Sequence, residues 1–148
     1  MVEGLDKVKE LIGTEIGVGD WHEVTQDQIN KFAEATGDHQ WIHVDVERAK
    51  QGPFGGPIAH GYLTLSLIPT LGGGGLPISG AKMGVNYGLD RVRFPAPVPA
   101  GSRVRARRKL IDVTEGEGFV QMKVEVTIEI EGKNRPGCVA ETLSRAYF

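Results

Sequence analysis

The chain has 148 residues, with 17 Lys and Arg against 19 Asp and Glu, which gives a formal net charge of -2. This length predicts a single domain over residues 1–148, and the near-neutral charge argues against nucleic-acid and anionic-membrane partners. The single cysteine, Cys138, excludes an intrachain disulfide, and the first residues lack the basic and apolar regions of a signal peptide. No apolar run approaches the roughly 20 residues that span a bilayer, so we expect a cytoplasmic protein.

The first part of the chain predicts two helices with a strand between them. Residues 5–12 have apolar side chains at helical spacing, and residues 16–24 are typical of a strand. Thr25 and Gln28 form a capping box that begins the second helix, and Gly37 is the residue type expected just after its end. The next residues, 38–43, therefore lie on the segment that leaves this helix.

The middle of the chain predicts a buried helix. Residues 46–56 are first charged and then rich in turn formers, which indicates a loop or a short helix. Residues 61–71 are mostly apolar on all faces, a pattern typical of a helix inside a domain. We expect this segment to be the core helix.

The last half of the chain predicts an antiparallel meander. Apolar and polar residues alternate without a break over 120–130, and the strands expected at 103–113 and 138–148 flank this one across glycine-containing turns. One face of the last strand has only small residues, which lets a helix approach closely: Cys138, Ala140, Thr142, Ser144 and Ala146. With a further strand at 81–94, the sequence predicts an α+β domain in which about five strands pack against one helix.

Two short segments carry the residues that can do chemistry. Asp38 and His43 follow the second helix, and Pro57-Ile-Ala-His-Gly61 comes just before the core helix. An acid, a base and a backbone amide donor are what proton transfer beside a carbonyl requires. Taken alone, Asp38 can be a polar residue at a helix end, and His43 and His60 can be structural histidines.

The combination of these segments resembles the MaoC-like dehydratases, the (R)-specific enoyl-CoA hydratases of hotdog fold. The resemblance continues through residues 87–101, so it covers most of the chain. It implies a long central helix wrapped by an antiparallel sheet, a homodimer and a 2-enoyl thioester of coenzyme A as substrate, with no cofactor and no metal.

The resemblance also implies roles for individual residues. Asp38 and His43 match the catalytic pair that holds the water, and Gly61 matches the glycine whose N–H binds the thioester oxygen. His60 and Tyr62, on either side of that glycine, are expected at the substrate. Two interpretations, the lining of an acyl tunnel and a place in the core, stay open for Tyr62, Leu63, Leu67 and Ile68. Arg91 and Arg93 are candidates for contact with the phosphates of coenzyme A.

The sequence departs from the family pattern in two places. Many members have Asn-Pro between the aspartate and the histidine, where this chain has Gln40-Trp41. A serine that some members carry in the central helix would fall near Pro69, whereas Ser66 lies one turn earlier, so Ser66 is assigned no catalytic role.

Other functions remain open at this point. A hotdog thioesterase would use the same carboxylate against the thioester carbonyl, and an acyl-CoA binding module would keep the fold without turnover. His39 and His43 with Asp38 and His60 form a weaker candidate for a metal hydrolase. The basic residues at positions 103, 105, 107 and 108 favour a solvated face, and the glycine tract 72–75 lacks the lysine and serine of a phosphate-binding loop.

Overall fold

The computed structural model describes residues 3–73, 76 and 78–148. The elements in chain order are α1 (Leu5–Glu10), β1 (Glu15–Val18), β2 (His22–Glu23), α2 (Gln26–Thr36), α3 (Trp41–Val44), α4 (Val46–Lys50), α5 (Gly61–Ser66), β3 (Met83–Arg93), β4 (Arg103–Gly116), β5 (Phe119–Ile130) and β6 (Cys138–Tyr147). Met1 and Val2, and Gly74 and Gly75 of the predicted glycine tract, lie outside the described residues. No helix in the described part of the chain is long and apolar enough to cross a bilayer.

The strands form one antiparallel sheet in the order β1-β4-β5-β6-β3, and β2 pairs with β4 beside β1. The predicted meander is confirmed, with the two-residue strand β2 added to the expected five. The single strand predicted over 16–24 is wrong, because β1 and β2 are separated at Gly19 and Asp20. Both residue types are unfavourable in strands and favour a bend.

The apolar face of β5 forms the centre of the core. The alternation predicted over 120–130 is confirmed, since Val120, Val126 and Ile128 are fully buried. Further core residues come from α5 and the turns after it, from β4, and from α1 and α2. They include Leu63, Leu67, Leu71, Val104, Leu110, Ile29 and Val8.

The predicted core helix is shorter than expected and is not buried on all sides. α5 ends at Ser66, and the chain continues to Leu71 through turns. Pro69 has no N–H to donate and its ring disfavours a continuing helix. Tyr62, on the first turn, has 70% of its surface exposed, so the alternative that it belongs to the core is wrong.

The segment after α5 is tied to the sheet by Arg108 of β4. Its guanidinium donates to the carbonyl of Ile68 at 2.6 Å and also to the carbonyl of Leu71. Cys138 and Ala140, two of the small residues of β6, are buried in the same core cluster as Leu67 and Leu71. Burial raises the pKa of the Cys138 thiol to about 11. The thiol is therefore protonated and inert at neutral pH.

Candidate active site

Asp38 lies where the sequence placed it, directly after the end of α2. Gly37 has φ 84°, a left-handed conformation that glycine adopts without strain, and its N–H donates to the Ala33 carbonyl. The Asp38 side chain is exposed, and its Oδ1 accepts a long hydrogen bond, 3.4 Å, from the Gln40 amide. The carboxylate is thus available to a ligand.

His43 is on the short helix α3, whereas the sequence placed it on an irregular segment leaving α2. Its side chain is only 6% exposed, and its Nδ1 lies 2.7 Å from the backbone carbonyl of Ile58. A carbonyl can only accept, so Nδ1 carries the proton. The second ring nitrogen, Nε2, then presents a lone pair and can act as a base.

The environment of His43 keeps the imidazole neutral. Burial lowers its pKa below the usual 6.5, and the hydrogen bond to Ile58 opposes this shift; the neighbouring His60 lowers the pKa and Asp38 raises it. A histidine that stays unprotonated at neutral pH is suited to accept a proton from water.

The lowered pKa of His43 also predicts a dependence of stability on pH. Between the folded pKa and 6.5, the unfolded chain binds a proton that the folded protein does not. The free energy of unfolding should therefore fall as pH drops through 6.5 and become insensitive to this group below the folded pKa. Urea unfolding between about pH 8 and 5 should show a steeper loss for the wild type than for His43→Asn. Equal slopes would contradict the assignment.

The fold brings Asp38, His43 and His60 together. One side-chain oxygen or nitrogen from each lies within 4.8 Å of the others. The rings of His43 and His60 are stacked, with centroids 3.9 Å apart and planes inclined by 26°. The predicted pair is therefore assembled, and His60 is part of the same cluster.

The stacking disfavours the metal alternative. A zinc ion lies in the plane of each coordinating imidazole, about 2.0–2.1 Å from nitrogen. Stacked rings hold their lone pairs in two nearly parallel planes that are offset from each other, so one ion is poorly placed to lie in both planes. His39, the fourth residue of that hypothesis, is exposed and is not in the cluster.

Gly61 is the first residue of α5, so its N–H has no acceptor within the helix. The ring of Phe94, just after β3, packs against the Cα of Gly61: a Cβ on residue 61 would lie 3.0 Å from two ring carbons. Tyr62 meets the edge of the same ring, with centroids 6.2 Å apart. Nothing in the sequence pattern pointed to Phe94 as a neighbour of this amide.

The bulky Gln40-Trp41 pair does not separate Asp38 from His43. The Trp41 ring instead packs on the Arg48 guanidinium, which lies 4.3 Å from the ring centroid, and against Gly52.

The hydroxyl of Ser66 is used within α5, where it donates to the Tyr62 carbonyl at 2.6 Å.

A cavity of about 660 Å³ lies between α5 and the inner face of the sheet. Leu65 and Ile68 line it from the helix side, and Met122 and Val124 of β5 from the sheet side. This volume is in the usual range for small-molecule pockets. Of the residues predicted to line a tunnel or the core, Ile68 reaches the cavity, whereas Leu63 and Leu67 are core.

The arginines fall into two groups. Arg103, Arg105 and Arg107 pair with the carboxylates of Glu131, Glu129 and Glu15, as expected for a solvated face. For Arg108 this expectation is wrong, because its guanidinium is partly buried against the carbonyls of Ile68 and Leu71. Arg91 and Arg93 are exposed on the edge strand β3. A guanidinium nitrogen of Arg93 donates to the backbone carbonyl of Val92 at 2.7 Å.

Comparison with known proteins agrees with this architecture. Residues 7–133 match the family model described as MaoC like domain. The chain is 54% identical over 144 residues, 97% of its length, to "3-hydroxyacyl-thioester dehydratase Z" of Mycobacterium tuberculosis, and the match covers 95% of that protein. It is 48% identical over 147 residues to "Nodulation protein N" of Rhizobium leguminosarum bv. viciae, covering 97% of this chain and 91% of that protein.

A solved structure supports the fold independently of close sequence similarity. The (R)-hydratase from A. caviae involved in PHA biosynthesis superposes with a TM-score of 0.70 at 21% identity, covering 90% of this chain and 94% of that one. At this identity the likeness bears on the fold alone. The chain therefore belongs to the MaoC-like dehydratase family, has its hotdog fold, and is an enzyme of the hydro-lyase class.

Proposed function

We propose that this protein adds water reversibly to trans-2-enoyl-CoA and forms (R)-3-hydroxyacyl-CoA. The observation that carries the proposal is the cluster in which an oxygen of Asp38 and a nitrogen of His43 lie within 4.8 Å of each other. Two groups that each hydrogen bond to one water at about 2.8 Å can be separated by up to about 5.6 Å. A single water therefore fits between these two side chains.

The reaction can be written with these groups. Asp38 and His43 hold the water, and one of them takes its proton as the oxygen bonds to the β-carbon. The electron pair of the double bond moves toward the α-carbon and the thioester oxygen, where negative charge develops. The Gly61 N–H is placed to donate to that oxygen, and protonation of the α-carbon completes the addition.

The acyl-CoA substrate and the (R) configuration are part of the proposal. The family resemblance supports both, and the relative from Mycobacterium tuberculosis is named for dehydration of 3-hydroxyacyl thioesters. The cavity beneath α5 is of a size that accepts an acyl chain, although Asp38, His43 and Gly61 are not among the residues that line it. Arg91 and Arg93 are exposed on β3 and available to a phosphate group.

The direct test uses purified protein and crotonyl-CoA. Loss of the conjugated enoyl absorbance without release of free thiol, with (R)-3-hydroxybutyryl-CoA as the product, is the expected result. Thiol release would instead identify a thioesterase, and tight binding without turnover of short or long enoyl chains would identify a binding module. Activity that is abolished by a chelator and restored by a divalent metal would contradict the metal-free mechanism.

The role proposed for the Gly61 amide predicts a sensitive position. In Gly61→Ala the added methyl must displace the Phe94 ring or the start of α5, because it would lie 3.0 Å from the ring. We expect kcat/KM to fall by about 10²-fold, the size of effect that follows from a small displacement of a reacting group. The double variant Gly61→Ala with Phe94→Leu should recover part of the loss. Two results would count against the role of the amide: an unchanged kcat/KM in Gly61→Ala, or a kcat/KM in the double variant that is no higher than in Gly61→Ala.

The proposed active form is a homodimer that pairs through β3. This edge strand is exposed along almost its whole length, and its apolar residues Met83, Val85, Tyr87 and Leu89 face solvent in the single chain. A long apolar edge strand readily pairs with another chain. A second copy of this chain would cover both the strand and its side chains.

Light scattering after size exclusion should give twice the 16.0 kDa mass of one chain. Val85→Lys should shift the protein toward monomer, because it places charge on the proposed interface. Val18→Lys is the matched control: Val18, on the opposite edge strand β1, is 37% exposed and Val85 is 38% exposed. A monomeric wild type, or equal effects of the two variants, would overturn the β3 interface.

A further inference from the structure

The side chain of His60 is buried in the cluster and makes one hydrogen bond. It is 2% exposed and lies between the ring of His43 and that of Phe32, whose centroid is 4.8 Å away. Its Nε2 is 2.9 Å from the backbone carbonyl of Asp38. Since that carbonyl can only accept, Nε2 carries the proton and donates.

The other ring nitrogen of His60, Nδ1, is buried and lacks a hydrogen-bond partner among the residues the structure describes. A buried polar atom without a partner is unfavourable, and an apolar residue of similar size would pack here without that cost. The contacts of His60 that an apolar residue would not reproduce are its hydrogen bond to the Asp38 carbonyl and the stacking of its imidazole on His43.

His60 contacts three parts of the site at once. The hydrogen bond fixes the backbone of Asp38, the stacked ring limits rotation of the His43 imidazole, and Gly61 follows directly in the chain. We infer that His60 is a positioning residue, which holds Asp38 and His43 in a fixed geometry relative to the Gly61 amide without touching the substrate. This inference rests on the proposed hydratase function.

The sequence-based expectation that His60 contacts the substrate is thereby replaced by an indirect role. The ionisable groups that affect His43 are Asp38, on the segment after α2, and His60, just before α5. His60 lowers the pKa of His43 and Asp38 raises it. Removal of the His60 ring nitrogens should therefore raise the pKa of His43, a change that a purely structural residue would not cause.

Two variants separate the hydrogen bond from the stacked ring. His60→Phe keeps an aromatic ring but has no donor, and His60→Gln keeps an amide donor near the position of Nε2 but has no ring. We expect kcat with crotonyl-CoA to fall about 10²-fold in His60→Phe with KM little changed, and His60→Gln to recover at least part of that loss. His22→Phe is the control, because His22 bonds to Gln28 outside the cluster.

A second measurement needs no turnover. NMR titration of the His43 ring nitrogens in the free protein should show the Nδ1–H tautomer and a higher pKa in His60→Phe than in the wild type. If the wild type does not hydrate enoyl-CoA, the proposed function fails, and the titration still tests the positioning role. If His60→Phe does not fold, His60→Gln should show the same rise in the pKa of His43.

Some results would overturn the inference. One is an unchanged kcat together with an unchanged His43 titration in a folded His60 variant. Another is a lower melting temperature with both of these unaltered, which would mean that His60 only fills space in the core.

Discussion

Asp38→Asn is expected to lower kcat for hydration of crotonyl-CoA by about 10²–10⁴-fold, with KM little changed. The amide has the same shape as the carboxylate, and its oxygen can still accept from the Gln40 amide as Asp38 Oδ1 does. It cannot accept the proton of water or return one to carbon. Because Asp38 is exposed at a helix end, the stability of the fold should hardly change.

Asp27→Asn is the matched control for this variant. Asp27 is also an exposed carboxylate of the α2 region, and it pairs with Lys31 at 2.8 Å. An exposed pair of this kind contributes little to stability, so both kcat and the urea midpoint should stay close to the wild type. Activity of Asp38→Asn within about threefold of the wild type would remove Asp38 from the chemistry, whatever the control shows.

His43→Asn is expected to lower kcat by a similar factor of about 10²–10⁴ and to leave the protein folded. The asparagine amide nitrogen occupies nearly the position of histidine Nδ1, so it can keep donating to the buried Ile58 carbonyl. The lone pair of Nε2, one of the two groups proposed to exchange protons with the water, is lost. The variant thus separates catalysis from folding.

His43→Gln gives the contrasting result for stability. A glutamine amide reaches toward the Nε2 position and leaves the Ile58 carbonyl without its donor. A buried polar group that loses its partner costs about 1–3 kcal/mol, so the urea midpoint should fall in His43→Gln and much less in His43→Asn. A fully active His43→Asn would show that Nε2 has no part in the reaction.

The local pattern of the sequence was sufficient to predict where α2 begins and ends and which face of β5 is buried. Thr25 accepts from the Gln28 backbone N–H at 3.1 Å, as predicted for the N-cap, and Gly37 adopts the left-handed conformation expected after a helix. The Gln28 side chain bonds to His22 and does not return to Thr25 as in a full capping box. These features depend on residues that are close together in the chain, so the sequence pattern is enough to predict them. The alternation over 120–130 is equally local, because successive side chains of a strand point to opposite faces.

Predictions that needed contacts between distant segments were less accurate. The helix predicted over 61–71 ends at Ser66, and the strand predicted over 16–24 divides into β1 and β2, since apolar composition alone does not show where pairing stops. The cover of Gly61 by Phe94 joins two segments far apart in the chain. No local pattern carries that information.

The sequence by itself determined which residues are available for chemistry, the order of the elements and, through the spacing of Asp38, His43 and Gly61, the family. Only the tertiary structure decided the protonated nitrogen of His43, because its acceptor Ile58 is 15 residues along the chain. The same holds for His60, whose burial and bond to Asp38 span 22 residues. Tautomers, pKa shifts and burial depend on the neighbours that folding supplies, and these neighbours come from segments whose approach the sequence pattern does not encode locally.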